Sequence, residues 1–109
     1  MSNFEKLKTF EPLASSLTIK KSPIHGLGLF AICEIPKHNE LGISHVKDDR
    51  FSHGYIRTPL GGFFNHSKKP NCEAVYDGDF IKIITLTNIN LGDEITVDYT
   101  KHDWIKIDQ

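Results

Sequence analysis

At 109 residues and 12.4 kDa the chain is sized for one domain, which can bury about 65% of its unfolded surface without staples. Thirteen basic residues against fourteen acidic ones leave a formal charge of -1, which excludes the basic footprint of a nucleic-acid binder. No run approaches the ~20 apolar residues of a membrane span, and two cysteines are too few for a disulfide framework or a four-cysteine zinc site.

Residues 1–16 read as a lead-in, in which Phe4, Leu7 and Phe10 form a weak amphipathic pattern before Pro12 interrupts it. The segment carries acidic residues and no apolar run long enough for a secretory leader. A cytosolic chain with Cys33 and Cys72 as free thiols is therefore expected. Residues 17–20 alternate apolar and polar, as a first strand does, and Ser22-Pro23 breaks it. Gly26-Leu27-Gly28 then opens a dense apolar run, the pattern of a tight turn feeding a buried strand. It lacks the third glycine and the following helix of a dinucleotide fingerprint. Residues 41–46 read as a short strand, 47–50 as a charged turn, and 51–58 as an irregular aromatic stretch. Pro59-Leu60-Gly61-Gly62 punctuates the chain.

The stretch that follows, residues 63–72, reads FFNHSKKPNC. Phe63 and Phe64 are expected to be buried, which draws Asn65 and His66 inward, where their polar atoms need partners. The protein's own backbone, a metal and a ligand are all open as those partners. Residues 73–76 and 80–86 are two strand candidates around Asp77-Gly78-Asp79, the strongest hairpin signal in the chain. The second, FIKIITL, is apolar on both faces except at Lys82 and is expected to be central. Residues 94–99 alternate, with Ile95, Val97 and Tyr99 on one face and Glu94, Thr96 and Asp98 on the other. Tyr99 thus points inward and needs a partner for its hydroxyl. The tail carries the single tryptophan, Trp104. Together these signals define a small β-rich domain of short strands.

Six histidines raise a metal reading, with His25, His45, His53 and His66 as its candidates, but none falls in a paired ligand spacing. Ser67 beside His66 does not make a triad by adjacency, and Cys72 reads as a buried structural thiol rather than a nucleophile. What remains is a Gly-x-Gly turn, an Asn-His pair and an inward tyrosine. On residues alone this is a ligand-binding β domain.

Those three features resemble the SET-domain family of protein-lysine methyltransferases. Gly26-Leu27-Gly28-Leu29-Phe30-Ala31 is similar to its early glycine motif, and Asn65-His66-Ser67 with Pro70-Asn71-Cys72 to its signature segment. Gly92-Asp93-Glu94-Ile95-Thr96-Val97-Asp98-Tyr99 resembles its closing motif. The resemblance implies a mostly β, β-clip-like fold of short curved sheets, spanning residues 17–104 before a tail at 105–109, with a C-terminal pseudoknot. It also implies S-adenosylmethionine as cofactor and a protein substrate presenting a lysine. Leu27, Gly28 and Leu29 would contact the methionine part of the cofactor and Asn65 and the main chain at His66 the adenosyl part. Trp104 would cover the adenine. Tyr99 would be catalytic at the junction with a lysine channel walled by Tyr55, Phe64 and Val97. No metal is implied. Lys68 stands where the signature usually has a cysteine, and the usual Tyr-x-Gly is absent around residues 41–45. The chain looks like a minimal domain of the viral and bacterial sort, which in a virus would work in the host cytosol and would gain docking surface as a homodimer. A catalytically silent peptide-binding module of the same fold is the alternative.

Overall fold

The computed structural model describes residues 13–50 and 54–101. Most of the lead-in, His53 and Trp104 lie outside them. In chain order the elements are β1 (Leu17–Lys21), β2 (Leu27–Ala31), β3 (Glu40–Lys47), β4 (Tyr55–Arg57), α1 (Pro59–Phe63), β5 (Asn65–His66), β6 (Cys72–Asp77), β7 (Phe80–Thr85) and β8 (Thr96–Val97), closed by a 3-10 turn at Tyr99–Lys101. Among the described residues the strands form three sheets: β1-β2, β4-β3-β7-β6 and β5-β8. The mostly β architecture expected from the strand patterns is the one observed.

β7 is central, with β3 and β6 antiparallel on either side, but only its face of Ile81, Ile83 and Thr85 is buried; the other carries the exposed Phe80 and the half-buried Lys82 and Ile84. Ile81 and Ile83 are wholly enclosed; burying such a side chain is worth about 1.5–3 kcal/mol. Leu29, Ile89 and Ile95 join the same core. The β6–β7 hairpin pairs Asp77 with Phe80, so the loop residues are Gly78 and Asp79. Gly78 sits at φ 60°, a conformation that suits glycine in a two-residue hairpin loop.

β3 is irregular in an informative way. Its register with β7 shifts between Glu40 and Gly42 and again between Ile43 and His45. A bulge sends two consecutive side chains the same way, so Ser44 and His45 are both buried. Ser44 Oγ donates to the Ile81 carbonyl at 3.1 Å, and its oxygen stands 2.9 Å from His45 Nδ1. With the hydroxyl hydrogen already donated, the oxygen accepts from an Nδ1–H.

Three expectations need correction. The Pro59-Leu60-Gly61-Gly62 stretch, read as a break, is helix α1. Thr58 caps it, with Oγ1 accepting from the Gly61 N–H at 3.4 Å, and Pro59 opens it, a position where its missing N–H costs nothing. The helix packs so closely on β3 that a Cβ on Gly61 would stand 2.1 Å from the Ser44 carbonyl oxygen. Phe63 is half-buried where both phenylalanines were expected inside; Phe64 is buried. Finally, residues 94–99 do not form one alternating strand. Only Thr96 and Val97 pair as a strand, and both faces from Ile95 to Asp98 are buried. The reason lies in what Asn71 does to Thr96.

Candidate functional site

The site is built where β5 crosses β8, two segments far apart in sequence. The pairing is parallel, Asn65 with Thr96 and His66 with Val97. The N–H groups of Asn65 and Ser67 reach the carbonyls of Ile95 and Val97 at 3.5 and 3.2 Å. In a parallel ladder alternate residues face the neighbour, so the N–H and C=O of His66 point away from β8. Two residues of ladder are a weak joint, and Asn71 reinforces it. Its Nδ2 donates to the Glu94 carbonyl at 2.7 Å, and its Oδ1 accepts from the Thr96 N–H at 2.9 Å. The Asn71 main-chain N–H donates to Thr96 Oγ1 at 3.2 Å. One side chain thus imitates a strand backbone, and it covers the face of Thr96 that simple alternation assigns to solvent.

The glycine turn comes in beside β5. Ser22 N–H bonds to the Gly26 carbonyl at 2.8 Å, with Gly26 at φ 48°. The other edge of β2 pairs with the chain before β8: the Leu29 carbonyl accepts from the Ile95 N–H at 2.8 Å. Asn65 ties the two together. Its Nδ2 lies 2.7 Å from Glu94 Oε2, 3.2 Å from Ser22 Oγ, 3.2 Å from the His25 carbonyl and 3.3 Å from the Leu27 carbonyl. Ser22 Oγ–H in turn donates to the Glu94 carboxylate, 2.8 Å from each oxygen. A Cβ on Gly28 would stand 2.4 Å from Glu94 Oε2 and 3.1 Å from Asn65 Nδ2. Glycine at this position is what lets the carboxylate and the amide approach β2. Acceptors surround the amide nitrogen of Asn65, whereas among the described residues no hydrogen bond engages its Oδ1, although the residue is buried.

Tyr99 stands on the other side of β5. Its hydroxyl donates to the Phe64 carbonyl at 2.8 Å and its main-chain N–H to His66 Nδ1 at 3.0 Å. Its ring meets those of Phe64 and His66 at centroid distances of 6.1 and 5.1 Å. Burial pushes the phenol up to about 12, with Glu94 adding to the rise and Arg57 opposing it. The group is therefore a neutral O–H donor at physiological pH. Asp98 begins the turn: its Oδ1 accepts from Thr100 Oγ1 at 2.6 Å and from the Thr100 N–H at 2.9 Å. The Thr100 hydroxyl and N–H, with smaller help from His66 and Lys101, hold the Asp98 carboxyl below its ordinary range.

Of the residues singled out from sequence, Leu27, Gly28, Leu29, Asn65, His66, Phe64 and Tyr99 converge here. Tyr55 packs edge-on against His45, ring centroids 6.3 Å apart. Val97 belongs to the core and lines a cleft of about 180 Å³ with Cys72, Leu86 and Lys101. Trp104, assigned to cover the adenine, falls outside the described residues. Among the described residues no three His, Cys, Asp or Glu side chains gather as a metal site. His25 is exposed and His45 buried, and His53 lies outside the described residues. Sequence reasoning missed Ser22 and Glu94 as partners of Asn65. Their types were visible, but the contacts span 43 and 29 residues, beyond any local pattern.

A β domain in which a glycine-opened hairpin, an Asn-His strand and a tyrosine-bearing segment are drawn together by long-range polar bonds is the arrangement of one known class. The SET-domain family profile matches residues 44–100. The chain belongs to the SET-domain family. A SET and MYND domain-containing protein of Dictyostelium discoideum is 38% identical to it over 65 residues, which take in 60% of this chain and 15% of that protein. The chain therefore corresponds to a small part of the relative's length. Among solved structures it is similar to a Plasmodium falciparum protein assigned as a histone methyltransferase, with TM-score 0.64 and 23% identity over 80% of this chain and 95% of the other. It is also similar to the methyltransferase domain of human PR domain-containing protein 2, with TM-score 0.62 and 16% identity over 78% of this chain and 77% of the other. At these identities the likeness is one of fold.

Proposed function

We propose that this SET domain is a protein-lysine N-methyltransferase that uses S-adenosylmethionine, with Tyr99 at the reacting centre. The observation that carries the reading is the pairing of Asn65 and Tyr99 on the two sides of one strand. Asn65 presents a buried Oδ1 with no partner among the described residues, and His66 turns its main-chain N–H and C=O off the same strand. These are the donors and acceptors that a polar, nitrogen-rich cofactor requires, so the residues fit the group. The Leu27 and Leu29 carbonyls are engaged by Asn65 and Ile95. Each carbonyl keeps a second lone pair, so the main chain at Leu27, Gly28 and Leu29 stays assigned to the methionine part of the cofactor.

S-adenosylmethionine supplies a methyl group on a sulfonium, and the protein's task is orientation. Tyr99 O–H is committed to the Phe64 carbonyl, which fixes the phenol and leaves its oxygen lone pairs as acceptors for weak C–H···O contacts. The raised phenol pKa keeps that proton in place. Phe64, buried beside Tyr99, supplies an apolar wall, and an apolar wall lowers the pKa of an entering lysine amine so that it can lose its proton. Tyr55 and Val97 are assigned to the same channel by family likeness. The threaded C-terminus of the family is compatible with Asn71 clasping residues 94–96. A reducing, cytosolic setting suits the two free thiols, Cys33 exposed and Cys72 buried.

Calorimetric titration with S-adenosylmethionine tests the cofactor half. The wild type is expected to release heat at one site, and Asn65→Ala to bind at least about tenfold more weakly, as loss of a charge-assisted or buried hydrogen bond implies. A wild type that gives no heat would sink the assignment. Binding of a lysine peptide without cofactor heat would place the chain with the silent modules.

A further inference from the structure

The Tyr99–Lys101 turn is three residues long and cannot hold itself in place by its own ladder. Asp98 ties down Thr100, and the Phe64 carbonyl holds the far end of the Tyr99 ring. The near end, the Tyr99 main-chain N–H, is fixed by a side chain from another element, His66. We propose that the His66 imidazole is the positioning residue of Tyr99, acting as the neutral tautomer with hydrogen on Nε2 and Nδ1 free to accept. The activity readouts below rest on the methyl-transfer reading; the contact itself does not.

Three features carry the assignment. Nδ1 lies 3.0 Å from the Tyr99 nitrogen, and a main-chain N–H can only donate, so a hydrogen on Nδ1 would face another hydrogen. The two rings pack at 5.1 Å and 53°, so a shift of one moves the other. His66 is anchored by the β5–β8 ladder next to Asn65, so the imidazole links the strand that bears the amide to the residue that bears the phenol. Asp98 Oδ1 stands 3.8 Å from Nδ1, too far for a hydrogen bond, and is already occupied by Thr100.

Protonation of the imidazole replaces an acceptor with a donor and expels the Tyr99 N–H. The charged group beside it is Asp98, Oδ1 3.8 Å from Nδ1; Lys101 acts on Asp98, and Arg57 and Glu94 act on the Tyr99 phenol.

The contact is tested directly on the wild-type protein by nitrogen NMR of the imidazole. The expected result is the Nε2–H tautomer, with Nδ1 coupled to the Tyr99 amide across their hydrogen bond; an Nδ1–H tautomer, or no such coupling, would overturn the proposal. Two variants test the consequence, using tritium-labelled cofactor and a cell lysate. His66→Asn places an oxygen near the Nδ1 position and keeps an acceptor that does not titrate. His66→Gln places it near Nε2. His66→Gln is expected to lose about tenfold or more in kcat with cofactor binding retained, since a displacement of ~1 Å can cost on the order of 100-fold. His66→Asn is expected to turn over at least about fivefold faster than His66→Gln. Equal rates in the two variants would refute it. A wild type without methyl transfer defeats the methyl-transfer reading, and the NMR result alone then decides the positioning role.

Discussion

The four-stranded sheet and the short β5–β8 crossing lie in one domain but are held by different forces. In the sheet, β7 is flanked on both edges and its Ile81 and Ile83 are enclosed; backbone ladders and apolar burial suffice. The crossing has two residues of ladder. What holds it is a set of side chains acting on distant main chain: Asn71 on Glu94 and Thr96, Asn65 on Leu27, His66 on Tyr99, and Tyr99 on Phe64. Apolar burial is non-directional and tolerates adjustment, whereas hydrogen bonds fix distance and angle. The scaffold is built from the first and the site from the second, so the two regions should fail separately.

The largest expected effect lies in the sheet. Ile83→Ala should cost about 2–5 kcal/mol, read as a lowered urea midpoint, and should raise amide exchange across the molecule. A loss below ~1 kcal/mol would mean that β7 is not the core strand. Next comes the crossing. Asn71→Ala removes the bonds to the Glu94 carbonyl and the Thr96 N–H, at about 0.5–1.5 kcal/mol for each bond lost. Here the comparison sharpens: exchange at Thr96 should accelerate while exchange at Ile83 barely changes. Equal acceleration at both would show that the two regions open together.

Alkaline stability follows from two buried groups. Burial pushes the Cys72 thiol up from 9.0 to about 12 and the Tyr99 phenol up from 10.0 to about 12. The folded state then holds both protons more tightly than the unfolded state. Their contribution is fully present below pH 9 and is lost as pH climbs toward 12. Chemical denaturation across that range should show a falling midpoint, with a shallower fall in Tyr99→Phe; a flat profile would contradict the burial of both groups. At neutral pH the same substitution should cost about 0.5–1.5 kcal/mol for its bond to Phe64. The smallest effect is expected at Arg50→Ala. Arg50 forks onto Asp48 at 2.6 Å and lowers that carboxyl to about 2, but the pair is on the surface, where such bridges contribute little. Its urea midpoint should not move measurably.

The same divide governs what could be read from sequence. The central place of residues 80–86 and the hairpin after Asp77 follow from local apolar patterns and a glycine at the turn, and the sheet was legible for that reason. Helix α1 was missed because two glycines were read as a break, although Thr58-Pro59 carries a cap and a favoured first residue. The crossing was legible only through family likeness. No periodicity within residues 94–99 reveals that Asn71 will cover Thr96, and none tells Glu94 that its partners are Ser22 and Asn65. Polar bonds between distant segments leave no local trace, and the candidate site is made of them.

Methyl transfer with and without the Tyr99 hydroxyl is the most direct test of its role. Wild type and Tyr99→Phe should be incubated with tritium-labelled S-adenosylmethionine and a cell lysate at concentrations that saturate both with cofactor. The predicted result is label on lysine with the wild type and a reduction of about 100-fold or more with Tyr99→Phe, the scale on which misplaced or missing groups act in positioned reactions, at unchanged calorimetric affinity for the cofactor. Equal labelling by the two proteins would contradict the account.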